Sequence, residues 1–269
     1  MGSGHNLSNK IAVVTGGTGL LGKLYCRTLA QAGARVIVAD LCPEQCQALA
    51  SEINQQLNSS LAIGMAVDLS DETSICSWAK QIKEQYNGVD IIVNNAACKS
   101  PHFFAPLESF PLDDWNQVMS VNVTAMFLVI RELGPSMVAK GKGAIVNISS
   151  IYGLVGPDQR IYEGSWHDEL QCSINTPLVY SVTKGAVISL TRYLATYWGP
   201  KGVRVNTLTP GGVFSGQNDL FHEKYSFRVP LGRMAQADEM SSALLFLVSD
   251  ASSYVNGHNL VVDGGWTAW

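Results

Sequence analysis

This 269-residue chain has no signal-peptide core, no uninterrupted run near the roughly 20 apolar residues that span a bilayer, and no basic cluster longer than Lys140-Gly141-Lys142. A cytoplasmic protein with no membrane association is the expectation. Lys and Arg number 18 against 22 Asp and Glu, so the net charge is −4 and the pI about 5.7. A chain of that balance has no basic field for nucleic acid or an anionic surface. Cys26, Cys42, Cys46, Cys76, Cys98 and Cys172 lack paired metal spacing and are expected as thiols. Cys42 and Cys46, four apart, read as ordinary helix residues. His5, His102, His167, His222 and His258 make no ligand pattern with each other or with the cysteines, so no catalytic metal is expected. Internal repeats and interdomain linkers are missing too. With 46% hydrophobic residues, one α/β domain over 10–269 is expected, preceded by a flexible lead-in over 1–9.

What is present begins with Lys10-Ile11-Ala12-Val13-Val14-Thr15, a short apolar strand followed at once by Gly16-Gly17-Thr18-Gly19-Leu20-Leu21-Gly22. Gly17, Gly19 and Gly22 fit G-x-G-x-x-G, in which glycines permit a tight turn, close approach to a pyrophosphate, and close packing of helix on strand. The helix then offers unpaired N–H groups to phosphate. A lone glycine match is often a simple turn, but here a second apolar strand follows the helix and ends at Asp40, 18 residues past Gly22. A carboxylate there binds both ribose hydroxyls of NAD and repels a 2′-phosphate, which favours NAD over NADP. A third strand ends at Asp68-Leu69, where Asp68 is placed to contact adenine or to cap the helix over Asp71–Tyr86, and the two roles are compatible. A fourth runs into Asn94-Asn95-Ala96-Ala97, at the end where ligands lie in such sheets.

Further on, Tyr180 and Lys184 stand four apart, one turn of one helix face. An ammonium near a phenol lowers its pKa and equips it to exchange protons with an alcohol or carbonyl. By itself this spacing more often marks a solvated face, and it recurs in Tyr197 and Lys201, where Gly199 and Pro200 are expected to end the helix between the two. Around the first copy Thr176 is a candidate cap, Pro177 suits the first turn, and Val179, Val182, Ala186, Val187, Leu190 and Leu194 form an apolar stripe.

Thr15 to Gly22, Asp40, Asp68, Asn94-Asn95-Ala96 and Tyr180 with Lys184 together resemble the short-chain dehydrogenase/reductase family, over about Lys10 to Trp266. The resemblance implies a doubly wound α/β Rossmann fold, one parallel sheet of about seven strands with helices on both faces. It also implies a catalytic set of Asn122, Ser150, Tyr180 and Lys184. Ser150 would bond the substrate oxygen, and Asn122, within the helix expected over Asp113 to Leu133, would hold a water relay behind the lysine. For the cofactor it implies Gly16, Gly17, Thr18, Gly19, Leu20, Leu21, Gly22, Asp40, Leu41, Asp68, Leu69, Asn95, Ala96, Ala97, Tyr180 and Lys184, with Pro210, Gly211, Val213 and Ser215 at the carboxamide. The family's usual loop, T-G-x-x-x-G-x-G, has glycine where this chain has Leu20. The spacing found here is similar to that of longer, epimerase-type members, so an epimerase or dehydratase is kept as an alternative, and a dinucleotide-sensing scaffold as another. The single-domain type remains the assignment.

Ser150 and Tyr180 are 30 positions apart, a longer gap than the family usually has, so about 155–175 reads as an insertion beside the chemistry. Its charged and aromatic residues suit a hydroxyl-rich ligand, though packing or a subunit contact explains it equally. Ile161-Tyr162-Glu163-Gly164 is similar to bacterial flagellin-modification oxidoreductases of legionaminate-type sugar synthesis. Residues 214–228 read as a mobile lid. Ser150, Tyr152, Tyr162, Glu163 and Tyr180 are the expected substrate contacts. The expected reaction moves hydride between NAD and a secondary alcohol or ketone on a sugar, polyol or sugar phosphate, by a homo-oligomer, dimer or tetramer.

Overall fold

The continuously apolar runs form strands buried on both faces, as parallel sheets require. The computed structural model describes residues 3–167 and 170–269. Met1 and Gly2 of the expected lead-in and Asp168 and Glu169 of the expected insertion lie outside the described residues. The strands are β1 (Ile11–Thr15), β2 (Arg35–Asp40), β3 (Ala62–Ala66), β4 (Ile91–Asn94), β5 (Gly143–Ile148), β6 (Trp166–His167), β7 (Cys172–Ser173), β8 (Val203–Pro210) and β9 (Asn259–Val262). The helices are α1 (Leu20–Gln31), α2 (Pro43–Leu57), α3 (Glu72–Tyr86), α4 (Leu112–Met119), α5 (Ala125–Lys140), α6 (Leu178–Trp198), α7 (Asp219–Phe227) and α8 (Glu239–Val248).

Seven strands form one parallel sheet in the order β3-β2-β1-β4-β5-β8-β9, while β6 and β7 pair as a separate antiparallel hairpin. Successive side chains on a strand point to opposite faces. Thus Val36 and Val38 of β2 pack with Leu29, Ile53 and Leu244 of α1, α2 and α8. Ile37 and Ala39 pack with Trp78, Leu133 and Trp198 of α3, α5 and α6. The strand order reverses between β1 and β4, which opens a crevice at their carboxyl ends.

The lead-in corrects the first expectation. Ser3–His5 form a short 3-10 turn, Leu7 is buried, and its N–H donates to Ala32 O at 2.8 Å, so the described part of 1–9 joins the fold. The single helix expected over Asp113 to Leu133 is α4 and α5 joined through a wider π turn, Ser120–Thr124. Together they span Leu112–Lys140, 29 residues, long and apolar enough by length and composition to cross a membrane. Val118, Leu128, Leu133 and Met137 of this stretch are core residues. Asp113, Asp114, Arg131 and Glu132 break it into shorter apolar runs, so the sequence alone offered none of that length. Thr176 does not cap α6, because Pro177 occupies the cap position and the Thr176 hydroxyl donates to Tyr162 instead. The inward face of α6 is also turned from the expected stripe: Thr183, Lys184 and Thr191 are buried and Val182 is exposed.

Candidate active site

At the crevice the glycine loop is braced by the stretch after β4. The Thr15 hydroxyl accepts from the N–H groups of Asn95 and Ala96 at 3.1 and 3.2 Å, and Asn95 Nδ2 donates to the carbonyls of Thr15 and Gly16 at 3.0 Å each. Gly16 has φ of +61°, and a Cβ there would meet Ala96 Cα at 2.8 Å. A Cβ on Gly22 would fall 2.0 Å from Gly16 O, so helix and loop can approach this closely only with glycine. Gly22→Ala is expected to weaken dinucleotide binding by about tenfold or more, measured by protein fluorescence quenching; unchanged binding would remove this loop from the cofactor site. Gly19 is the N-cap of α1, and Leu20, its first residue, is exposed.

Asp40 faces the same loop. Its Oδ2 accepts from Thr18 N–H and Oγ1–H at 2.9 and 2.6 Å, and its Oδ1 accepts from Leu41 N–H at 2.8 Å. The carboxylate is therefore fixed in place, with lone pairs remaining for diol hydroxyls. Asp68 Oδ1 accepts from the N–H and hydroxyl of Ser70, while Asp71, not Asp68, caps α3. Leu69 is partly buried against the core and Leu41 is exposed.

The other half of the site hangs on α6 and β5. Ser149 and Ser150 diverge as strand alternation demands: Ser149 Oγ donates to Lys184 O at 2.7 Å, whereas the Ser150 hydroxyl accepts from Tyr152 N–H at 3.2 Å and acts on the Tyr180 phenol to lower its pKa. Lys184 is buried, its Nζ donates to Ile148 O at 3.1 Å, and it lies 5.6 Å from the Tyr180 ring centre. Burial brings the Lys184 pKa down to about 8. Burial also raises that of Tyr180, against the lowering by the Ser150 hydrogen bond. Loss of hydration is thus the largest influence on the phenol, where the sequence reading had put the Lys184 ammonium.

The helix ends at Trp198, between the second tyrosine and its lysine as expected, and the two side chains meet all the same. Lys201 Nζ lies 4.8 Å from the Tyr197 ring centre, closer than in the buried pair, yet Tyr197 is 53% exposed. Burial beside Ser150, not spacing, separates the two. Asn122 sits in the π turn, 2% exposed; its Oδ1 accepts from Cys98 N–H at 3.0 Å and its Nδ2 donates to Thr183 Oγ1 at 3.4 Å. Its side chain thus ties the loop after β4 to α6, where the expectation had been a water relay.

The insertion and the lid form one roof. Asp158 pairs with both Arg160 and Arg228, and the Arg160 hydrogen bond is the main cause holding its carboxyl down at about 2. Lys224 Nζ donates to the carbonyls of Arg160 and Glu163 at 3.3 and 2.8 Å, and the Tyr162 and Phe221 rings lie 5.2 Å apart. Beneath them Tyr152, Tyr225, Trp266 and partly buried Tyr162 and Tyr180 pack in one cluster. Phe103 closes the other side of Tyr180, its ring edge-on at 6.4 Å. Glu163 contributes only its carbonyl to the roof, and its side chain is exposed. At the end of β8, Pro210 leads to Gly211 against Asp263, Gly212 N–H donates to Tyr225 OH, Val213 bridges Ala235, and Ser215 N–H donates to Gln217 Oε1 at 2.8 Å. Tyr225, Phe103 and Thr176 were missed as site residues; only the density of aromatics near 103 and 225 signals them.

A cavity of about 800 Å³ opens elsewhere, lined in part by Lys10, Asp90, Lys142 and Arg204 at the amino ends of the strands. It contains none of Ser150, Tyr180 and Lys184, and parallel sheets carry their ligands at the carboxyl ends, where those residues converge.

A family model described as "Enoyl-(Acyl carrier protein) reductase" matches residues 20–267. The galactitol 2-dehydrogenase (L-tagatose-forming) of Cereibacter sphaeroides is 36% identical, over 98% of this chain and 97% of that protein. The D-threitol dehydrogenase of Mycolicibacterium smegmatis is 32% identical, over 97% and 94%. A gluconate 5-dehydrogenase from Burkholderia cenocepacia, solved in complex with NADP and tartrate, superposes with a TM-score of 0.85 at 30% identity, covering 98% of each chain. With the crevice, the serine–tyrosine–lysine set and these full-length matches together, the chain belongs to the short-chain dehydrogenase/reductase family.

Proposed function

We propose that this protein transfers hydride between a nicotinamide dinucleotide and a secondary alcohol or its ketone, on a polyol or sugar derivative, with NAD preferred. The observation that carries the reaction is the convergence of Ser150, Tyr180 and buried Lys184 under a roof of tyrosine hydroxyls. The similarity to galactitol and threitol dehydrogenases supports the substrate class. Tyr180 trades the proton with the substrate oxygen, Ser150 donates to that oxygen, and Lys184 supplies positive charge below the phenol. Asn122 holds the loop and α6 in register.

The residues present fit a dinucleotide. Gly16 to Gly22 and the start of α1 suit its pyrophosphate, Asp40 and Leu41 its adenosine ribose, and Asp68 and Leu69 its adenine. Asn95 to Ala97, Tyr180 and Lys184 suit the nicotinamide ribose, and Pro210, Gly211, Val213 and Ser215 the carboxamide. Bound there, it supplies the hydride donor or acceptor. Exposed Phe127 on α5 and Tyr193 and Tyr197 on α6 support a homo-oligomer, dimer or tetramer, and six free thiols fit a reducing cytoplasm.

The NAD preference rests on Asp40. Thr18 and Leu41 hold both of its oxygens, so the carboxylate cannot swing away from a 2′-phosphate, and like charges brought together there cost affinity. With a panel of polyols, reduced cofactor is expected to accumulate with kcat/KM for NAD about tenfold or more above NADP, and Asp40→Ser to narrow that ratio. Equal use of NADP by the unaltered protein would sink the preference. Isomerised product without accumulation of reduced cofactor would point instead to an epimerase.

A further inference from the structure

We infer that Tyr152 and Tyr162, backed by Thr176, form a polar subsite for a second oxygen of the substrate, and so select hydroxylated substrates over simple secondary alcohols. The inference rests on the proposed reaction and deepens it, by tracing what the insertion does to substrate choice.

Three hydroxyls meet in a row. Thr176 Oγ1 donates to Tyr162 OH at 2.6 Å, and Tyr162 OH and Tyr152 OH lie 3.2 Å apart with either as donor. Each hydroxyl carries one proton. The two hydrogen bonds consume two of the three protons, so one phenolic O–H retains a proton with no acceptor among the described residues. If Tyr162 donates to Tyr152, the free proton is on Tyr152; if the reverse, it is on Tyr162. Burial raises the pKa of both phenols, so each keeps its proton near neutrality. A largely buried O–H donor without an acceptor is costly, and a substrate oxygen would relieve it.

The free donor belongs to the reacting site. Tyr152 N–H bonds Ser150 Oγ at 3.2 Å, so Tyr152 stands on the same short turn as the serine. Tyr162 is close enough to Tyr180 that charge on one raises the pKa of the other, and all three tyrosines pack on one aromatic cluster. Thr176 is held in place by Gln159, whose Nε2 donates to Thr176 O at 2.8 Å and whose Oε1 accepts from Thr176 N–H at 3.2 Å. Gln159 and Tyr162 come from the insertion. The extra chain therefore supplies one phenol and fixes the threonine that orients it. Aromatic walls with a few fixed hydroxyls are suited to a polyol, whose C–H faces lie on rings while its oxygens find donors.

The test compares unaltered protein with Tyr162→Phe, Thr176→Val and Thr176→Ser, using four- to six-carbon polyols, threitol among them, and butan-2-ol. For the polyols, Tyr162→Phe and Thr176→Val are expected to lower kcat/KM about tenfold, mainly through KM, with butan-2-ol changed by less than about threefold. Thr176→Ser, which keeps the hydroxyl, restores the polyol value. Equal losses on both alcohol classes, no loss on polyols, or a serine variant no better than valine would overturn the subsite. If the unaltered protein oxidises no alcohol with either cofactor, it is the reaction that fails. Threitol binding in the presence of NADH, followed by calorimetry, then reads the subsite alone. Binding weakened by Tyr162→Phe and kept by Thr176→Ser sustains it, while no binding, or binding indifferent to Tyr162→Phe, overturns it.

Discussion

Tyr180→Phe is expected to lower kcat by about 10²- to 10⁴-fold, the range of a lost general acid or base, with thermal stability nearly unchanged. The ring it leaves behind is the reason for the second half of that statement. Phe103 stands edge-on to it, and both aromatic clusters pack against it, so phenylalanine fills the same space. What disappears is one hydroxyl, the one on which Ser150 acts. Lys184 is engaged with Ile148 O. Initial rates in both directions, with a melting curve, check the prediction. A variant retaining more than about a tenth of the rate would assign proton transfer elsewhere.

The parts of this molecule legible in the sequence are those whose cause is local. Gly16 to Gly22 announces a strand-to-helix turn because part of its cause lies within the loop itself, Gly22 packing against Gly16 O six positions back. The apolar runs of β1, β2, β4 and β5 are short and uninterrupted, which only a sheet covered on both faces tolerates. Asp40 could be placed at a strand end, but not its lock on Thr18, which crosses 22 positions. Ser150 could be preferred to Ser149 by alternation and motif; in the structure Ser149 is engaged with Lys184 O and Ser150 with Tyr152 N–H.

The rest depends on contacts no spacing encodes. Tyr180 with Lys184 and Tyr197 with Lys201 have the same spacing and opposite burial, and burial is a property of what folds over the helix. The π turn at Asn122 adds no irregular residue to the apolar pattern, so periodicity runs straight through it. Insertion and lid looked like independent loops. Asp158 and Arg228, 70 positions apart, join them, as do Lys224 and Glu163 across 61. Thr176 looked like a helix cap because its residue type favours caps, and a phenol 14 positions away claimed its hydroxyl instead.

Lys184→Met separates what the ammonium does for the reaction from what it costs the fold. Lysine in an unfolded chain titrates near 10.4, whereas burial sets Lys184 at about 8 in the folded protein. Between those values the unfolded chain binds more protons than the folded one, so stability rises with pH across the window, and below about pH 8 the buried charge is a standing cost. Methionine, of similar length and uncharged, removes that cost, which is on the order of 3 kcal/mol before the lost hydrogen bond to Ile148 O offsets part of it. The variant is therefore expected to be the more stable protein at pH 7, with its advantage shrinking as pH rises from about 8 to 10. Its activity moves the opposite way. Burial already holds the Tyr180 phenol in its protonated form, and without the cation beside it alcohol oxidation should fall about 10²-fold or more at neutral pH and recover only at higher pH. Urea unfolding at pH 7, 8.5 and 10, beside the pH–rate profile of both proteins, measures the two effects together. A stability difference that does not change with pH would mean that Lys184 is hydrated or paired in the folded chain. An active methionine variant would mean that the phenol works without its cation.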